Sequence, residues 1–381
     1  MRYILGYAVR LAKPSDEPTG HGTSLITENS EPSSRGKRRH YITLAVFVFF
    51  SIVILLAVLS YSSFRWDLFI DTLDELDPRW LAAGSACILL SYFGRAVRWK
   101  VMMLPQPSRL GSIFSATLIG FSSIVFFGRA GEVVRPILIA TREDSTVAAQ
   151  AAVWILERLF DLLLILALFG IGLAESRSFD VKSGSVLAPI LHIGGALVVL
   201  VAGATGAILY MFARHPSTCE SQILKALSFL PNRLLTKVER TLGSFIRGAG
   251  SISKPAVMIL SLLLTVVEWG IVLAAVWCFF HSHPAFRDFG MLEVAIYLGF
   301  VSIGNIVQLP GIGGGVQLIS VVVLTELFHR PLEVATGLSL LIWAGLSLVV
   351  LPFGIALAML GHLKIADIRR YMRGMGQEAR L

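Results

Sequence analysis

Residues 256–281 read AVMILSLLLTVVEWGIVLAAVWCFFH, a stretch in which Glu268 is the one acid and no lysine or arginine occurs. At about 1.5 Å of rise per residue, a helix of this length exceeds the ~30 Å of hydrocarbon in a bilayer. Lipid offers no hydrogen-bonding partner to a backbone, so such a stretch reads as a membrane-spanning helix. Further apolar stretches lie at 41–61, 80–94, 147–173, 186–212 and 333–360. Residues 291–309 and 312–328 form two more, parted by Pro310-Gly311-Ile312-Gly313-Gly314-Gly315. The chain is therefore read as an all-α polytopic membrane protein with about eight transmembrane helices. A Gly-broken helix pair lies at 291–328.

Composition agrees. Of 381 residues, 55% are hydrophobic and 15% are charged, against roughly 25% charged in a soluble domain. The mean hydropathy is +0.73. The net charge of +8 does not point to nucleic acid, because the basic residues gather in a few loops; it points to membrane orientation and anionic headgroups. The three cysteines, Cys87, Cys219 and Cys278, form no CxxC pair and imply no metal or disulfide framework. No cofactor is indicated.

Residues 111–127 are apolar but short for a crossing, and they run into Gly128-Arg129-Ala130-Gly131-Glu132 before a second short apolar piece. Two short pieces around a polar glycine turn predict a re-entrant hairpin over about 111–142; two thin full spans are the alternative. Residues 1–40, with Pro14, Pro18 and Pro32 and the bases Arg35, Lys37, Arg38 and Arg39, read as a disordered cytoplasmic tail. The opening MRYILGYAVR has too short an apolar core for a signal peptide. Loop 213–255 reads as basic, amphipathic and interfacial, and 361–381 as a basic tail.

Charge placement orients the layout. The N-terminal tail, residues 95–110, loop 213–255 and the C-terminal tail hold 23 of the 33 lysines and arginines, whereas the opposite loops hold six. By the positive-inside rule both termini are cytoplasmic, in a plasma or inner membrane.

Ionisable residues inside apolar stretches are the informative ones, since a charge at the bilayer centre costs at least about 2.5 kcal/mol. Three groups stand out. Arg129, Glu132 and Arg135 lie in GRAGEVVRP, with the acid three residues from each base, and carry a positive surplus. Glu157, Arg158 and Asp161 lie within 147–173 and carry a negative surplus, so the two groups are expected to meet. The third is the break at Gly311, Gly313, Gly314 and Gly315, followed by Gln317; a helix restarting there offers backbone N–H groups to an anion. Broken helices near the midplane mark binding sites in secondary transporters. Glu268 is the deepest of the isolated acids. His281 and His283 lack the further ligands a metal site requires.

At these residues the chain resembles a known family, the transmembrane domain of lysylphosphatidylglycerol synthases, also called flippase-like. The resemblance rests on Arg95-Ala-Val-Arg98-Trp99, on GRAGEVVRP at 128–136, on Glu157-Arg158-Leu159-Phe160-Asp161 and on the late Pro-Gly break, and it covers about 41–360. In that family an acid usually follows the late break; Gln317 stands there instead, so a charge-dependent role at that position is not implied. The soluble aminoacyl-transferase domain of the full synthases is not expected. What the resemblance does imply is movement of a lipid or lipid-linked molecule between leaflets.

The reading favours a transporter of an anionic lipid, with Arg129 and Arg135 as headgroup donors. One alternative is a membrane-embedded lipid-modifying enzyme, although no DxxD cluster, HxxxxD pair or Ser–His pair occurs in a suitable place. The other is a non-transporting partner of a lipid-synthesis enzyme. Membrane lipids are the expected partners, with a homo-oligomer or such an enzyme as further possibilities.

Overall fold

The computed structural model describes residues 64–175, 187–214, 254–304, 308–309 and 313–361, with short pieces between 218 and 250. The expected N-terminal tail, the stretch 41–61, most of loop 213–255, Gly311 and the tail beyond 361 lie outside the described residues.

Helices are numbered in chain order among the described residues. The segment expected to be an outer loop contains a nine-residue helix, α1 (Trp66–Asp74). Helix α2 (Pro78–Met102) starts with Pro78 in its first turn and with Asp77 accepting from Arg79 N at 2.9 Å, as a well-formed N-terminus requires. It was expected to stop at 94, with Arg95 and Arg98 among the cytoplasmic loop charges. Instead it runs on to Met102 and buries Arg98 completely, because acids from two other helices neutralise the charge there. Removing these two arginines from the cytoplasmic tally leaves its asymmetry large.

Next come α3 (Leu110–Phe127), a 3-10 turn (Gly128–Val133), α4 (Val134–Arg142), α5 (Val147–Glu175) and α6 (Leu187–Arg214). After the basic loop follow α7 (Pro255–His281), α8 (Met291–Gly304), strands β1 (Gln308–Leu309) and β2 (Gly313–Gly314), and α9 (Gly315–Val322). The chain then passes through a π turn (Val323–Leu327) into α10 (Leu332–Ser347) and α11 (Leu351–Leu360). Among the described residues five segments, Pro78–Met102, Leu110–Phe127, Gly194–Met211, Pro255–His281 and Leu332–Leu360, are long and apolar enough to cross a membrane. α3, read from sequence as short for a crossing, is one of them. Their outward faces carry Val199 at 73%, Leu200 at 70% and Val267 at 57% exposure. Contiguous apolar surface of this kind meets lipid rather than water. The fold is that of an all-α polytopic membrane protein.

Two hairpins organise it. In the first, α4 runs back along α3. Ser123 Oγ donates to Gly131 O at 2.8 Å, and Arg142 Nη1 donates to Ser115 Oγ at 2.6 Å. At the base, Arg109 N donates to Glu143 Oε2 at 2.9 Å, so the hairpin ends at the level where it began. The second hairpin is built the same way. α8 and α9 touch where Gly304 meets the Gly315 backbone. Tyr297 and Ser320 share a hydrogen bond of 2.7 Å, and Arg330 pairs with Asp288 at 2.6 Å at the base. β1 and β2 close its tip in an antiparallel register, Gln308 to Gly314 and Leu309 to Gly313. Each tip turns on a glycine with positive φ, Gly128 at 58° and Gly314 at 111°, values that a side chain disfavours.

α2 and α7 pack antiparallel along their length, with Asp77 N bonded to Ser282 O at one end and Arg98 bonded to Thr265 farther in. Each hairpin leans on a helix from the other half of the chain. A Cβ on Gly299 of α8 would fall 2.8 Å from the Leu168 backbone of α5, and one on Gly354 of α11 would fall 2.7 Å from Leu118 O of α3. The two tips also meet, β1 lying against the 3-10 turn.

Candidate functional site

Between the tips lies a cavity of about 400 Å³, lined by α2, α3, α4, α5, α7, α8, α9 and α10. At its floor is a charge cluster drawn from four helices. α2 supplies Arg95 and Arg98, one turn apart on one face. α5 supplies Glu157, Arg158 and Asp161, where the i to i+4 spacing puts both acids on one face. α4 supplies Arg135, and α7 supplies Glu268 and Thr265.

Arg98 is fully buried at the centre. Its Nη2 contacts Glu157 Oε1 at 2.8 Å and Glu268 Oε2 at 3.2 Å, and its Nη1 contacts Asp161 Oδ1 and Thr265 Oγ1, both at 2.8 Å. Arg95 pairs with Glu268 Oε1 at 2.7 Å and lies 3.8 Å from Asp161. Arg135 bonds Glu157 Oε2 at 2.9 Å, donates to Arg95 O at 3.3 Å and stacks 4.1 Å over the Trp99 ring. Arg158 reaches Asp161 at 3.1 Å and Glu157 at 3.6 Å. Trp269 Nε1 donates to Asp161 at 3.3 Å. Every acid is shared by at least two guanidiniums, the arrangement that lets charges of both signs lie out of water.

The structure thus joins the two sequence groups, through Arg135 and Glu157. Glu132 stands on the 3-10 turn and lines the cavity, and its charge bears on Arg158. Arg129 occupies the same turn, but its side chain is outside the described residues. Glu268, an isolated acid in the sequence, is a full member of the cluster.

The four described guanidiniums differ in access. Side-chain exposure is 0% for Arg98, 4% for Arg135, 13% for Arg95 and 41% for Arg158. Arg135, expected to be a headgroup donor, is occupied by Glu157 and Trp99; Arg158 holds the open position.

The glycine break divides in the same way. Gly313 is paired in the ladder and Gly315 starts α9 against Gly304. Gly314 N, expected to face an anion, donates to Gln317 Oε1 at 2.7 Å, so Gln317 caps its own helix. Its carbonyl accepts from Ser339 Oγ at 3.1 Å.

Sequence reasoning placed Arg95 and Arg98 outside the membrane. The available signal was the acid count: Glu132, Glu157, Asp161 and Glu268 outnumber Arg129, Arg135 and Arg158 by one, so a further cation is needed. Comparison with curated proteins and with solved structures gives no match. The family model of the lysylphosphatidylglycerol synthase TM region matches residues 42–371, which takes in every element described above, and the chain belongs to that family.

Proposed function

We propose that this integral membrane protein moves an anionic lipid, or a lipid-linked anion, between the leaflets, and that Arg158 is the cation that meets the headgroup. The observation that carries this reading is the cavity of about 400 Å³ lined in part by Arg158, whose side chain is 41% exposed. The volume falls within the roughly 300–1,000 Å³ of small-molecule sites, room for a polar headgroup but not for its acyl chains as well. Arg95, Arg98, Arg135 and Arg158 stand against Glu132, Glu157, Asp161 and Glu268, and Arg158 is the most exposed of these cations. A guanidinium's planar fork matches phosphate oxygens. Asp161 at 3.1 Å and Glu157 at 3.6 Å hold that fork, the charge of Glu132 bears on it, and together they keep an empty site from retaining its ligand too strongly. The first hairpin carries Glu132 and Arg135 to the site.

The test is a leaflet-resolved lipid assay in proteoliposomes with a fluorescent anionic phospholipid. Arg158→Ala is expected to slow transfer at least tenfold while the protein stays folded, and Arg158→Lys to restore part of it. Arg287→Ala, on the exposed outer turn, is expected to leave the rate unchanged. Transfer by Arg158→Ala at the normal rate would remove the headgroup role.

A further inference from the structure

We infer that residues 78–175 and 255–360 are two copies of one structural unit in opposite orientation, and that the cavity between them faces the two sides of the membrane in turn. The alternation concerns the cavity assigned above to the lipid, and rests on that reading for its cargo.

The order of elements is the same in both. A long helix (α2, α7) leads into a hairpin (α3 with α4, α8 with α9), which leads into a final long helix (α5, α10 continued by α11). The hairpins are alike, each with a positive-φ glycine at its tip, Gly128 after the first arm and Gly314 before the second, and each closed at its base by a polar contact between residues that flank its arms. Packing between the units is reciprocal. The final helix of the first copy lies on the first hairpin arm of the second, and the final helix of the second lies on the first arm of the first. Both contacts include a glycine against backbone, Gly299 in one and Gly354 in the other. The leading helices α2 and α7 pack on each other and run antiparallel, so a twofold axis between them lies in the membrane plane. Inverted repeats of this kind carry their substrate at the repeat interface, near the midplane.

The cavity lies at that interface, and its lining comes from corresponding elements: Tyr92 with Trp269, Phe121 with Leu298, and Arg158 with Trp343. Charge is not shared equally. The first copy contributes Arg95, Glu132, Arg135, Arg158 and Asp161, whereas the second copy's wall is Trp269, Val272, Leu298, Val301, Val316 and Trp343 with two serines, Ser302 and Ser347. The charged groups that meet a headgroup thus come from the first copy, and the second copy faces them with uncharged side chains.

Two copies of one fold seated on each other have a second seating in which their roles are exchanged. The twofold-related contacts at Gly299 and Gly354 are the surfaces that change when it is adopted. Opening at one contact exposes the cavity to one side; opening at the other exposes it to the opposite side.

The test uses full-length protein in which Cys87, Cys219 and Cys278 are replaced by serine. A single cysteine is placed on each wall, Val125→Cys in one protein and Ser347→Cys in another. Each is labelled with a membrane-impermeant maleimide from either face of oriented vesicles. Labelling from both faces is expected at both positions. Gly299→Leu and Gly354→Leu, wedges at the two reciprocal contacts, are expected to shift the ratio of labelling rates between faces at least threefold, in opposite directions. Labelling from one face only in the unwedged proteins overturns the alternation, whether or not the wedged variants fold. Folded wedges that shift the ratio the same way overturn the inverted relationship. Lipid transfer is measured on the same vesicles. Transfer with one-sided labelling overturns the alternation and leaves transport standing. Two-sided labelling without transfer overturns the lipid reading and leaves the alternation standing.

Discussion

Arg98 Nη2 lies 2.8 Å from Glu157 Oε1, and neither side chain has any solvent exposure. The same guanidinium also reaches Asp161 and Glu268, so it is the cation on which three buried acids converge. Removing one partner of a buried ion pair costs about 3–5 kcal/mol, because the other is left charged without water. Arg98→Ala is therefore expected to lower the Tm in detergent sharply and to reduce the yield of monodisperse protein. Arg98→Lys is expected to recover only part of this, since one ammonium cannot bond three carboxylates in a fork. A wild-type Tm for Arg98→Ala would show that the cluster does not hold the helices together.

The hairpin backbone gives a second expectation. A Cβ on Gly304 would run into the Gly315 carbonyl, whereas one on Gly195 of α6 meets nothing within 4 Å. Overpacking of this kind costs about 1–3 kcal/mol, so Gly304→Ala is expected to lower the Tm by several degrees. Gly195→Ala removes a flexible residue from a helix and is expected to leave the Tm unchanged or raise it slightly. Equal Tm values for the two variants would contradict the close contact between α8 and α9.

Topology is checked by reporter fusions. Fusions at residues 70, 178, 286 and 331 are expected outside, and those at 104, 235 and 375 inside. The first hairpin returns to its own level, so this pattern is the same whether α3 and α4 cross or turn back. An external signal at 235 would invert the arrangement.

The turn that follows α7 carries a pH dependence. His283 Nδ1 accepts from Ala285 N at 3.1 Å, and Nε2 lies 3.5 Å from Glu75 Oε2. Burial pushes the His283 imidazole below its ordinary range, while Glu75 pulls it back in part. The unfolded chain, with an imidazole near about 6.5, therefore takes up the proton before the folded protein does. The contribution to stability is complete above that value and declines as the pH falls below it. The Tm is expected to drop between about pH 7.5 and about pH 5.5. His283→Asn keeps an acceptor for the turn but does not titrate, and is expected to show a smaller drop. An unchanged drop would assign the effect to other groups.

Helix identity and family were legible in the chain because both are local properties. An apolar run such as 256–281 becomes a spanning helix in lipid whatever surrounds it, since its backbone has no other way to satisfy its hydrogen bonds. The motifs at 128–136 and 157–161 are contiguous, and their charges in apolar surroundings mark them without knowledge of any neighbour. The need for the two groups to meet was likewise readable, as a demand for neutrality in a medium that does not solvate charge.

Which residues meet that demand was decided by tertiary structure. Arg95 and Arg98 follow an apolar stretch and look like loop cations; only the antiparallel seating of α2 on α7, and the placement of α5 beside both, brings Glu157, Asp161 and Glu268 to them. The same packing occupies Arg135, read from sequence as a headgroup donor, with Glu157 and Trp99 and leaves Arg158 the more exposed of the two. It also brings Gly314 and Gln317 together, so that a helix start read as an anion site caps itself. The correspondence of the two halves is invisible in the sequence for a related reason. Their matching helices carry different residues, and the match lies in chain direction, turn geometry and reciprocal packing, which only contacts between residues far apart in the chain create.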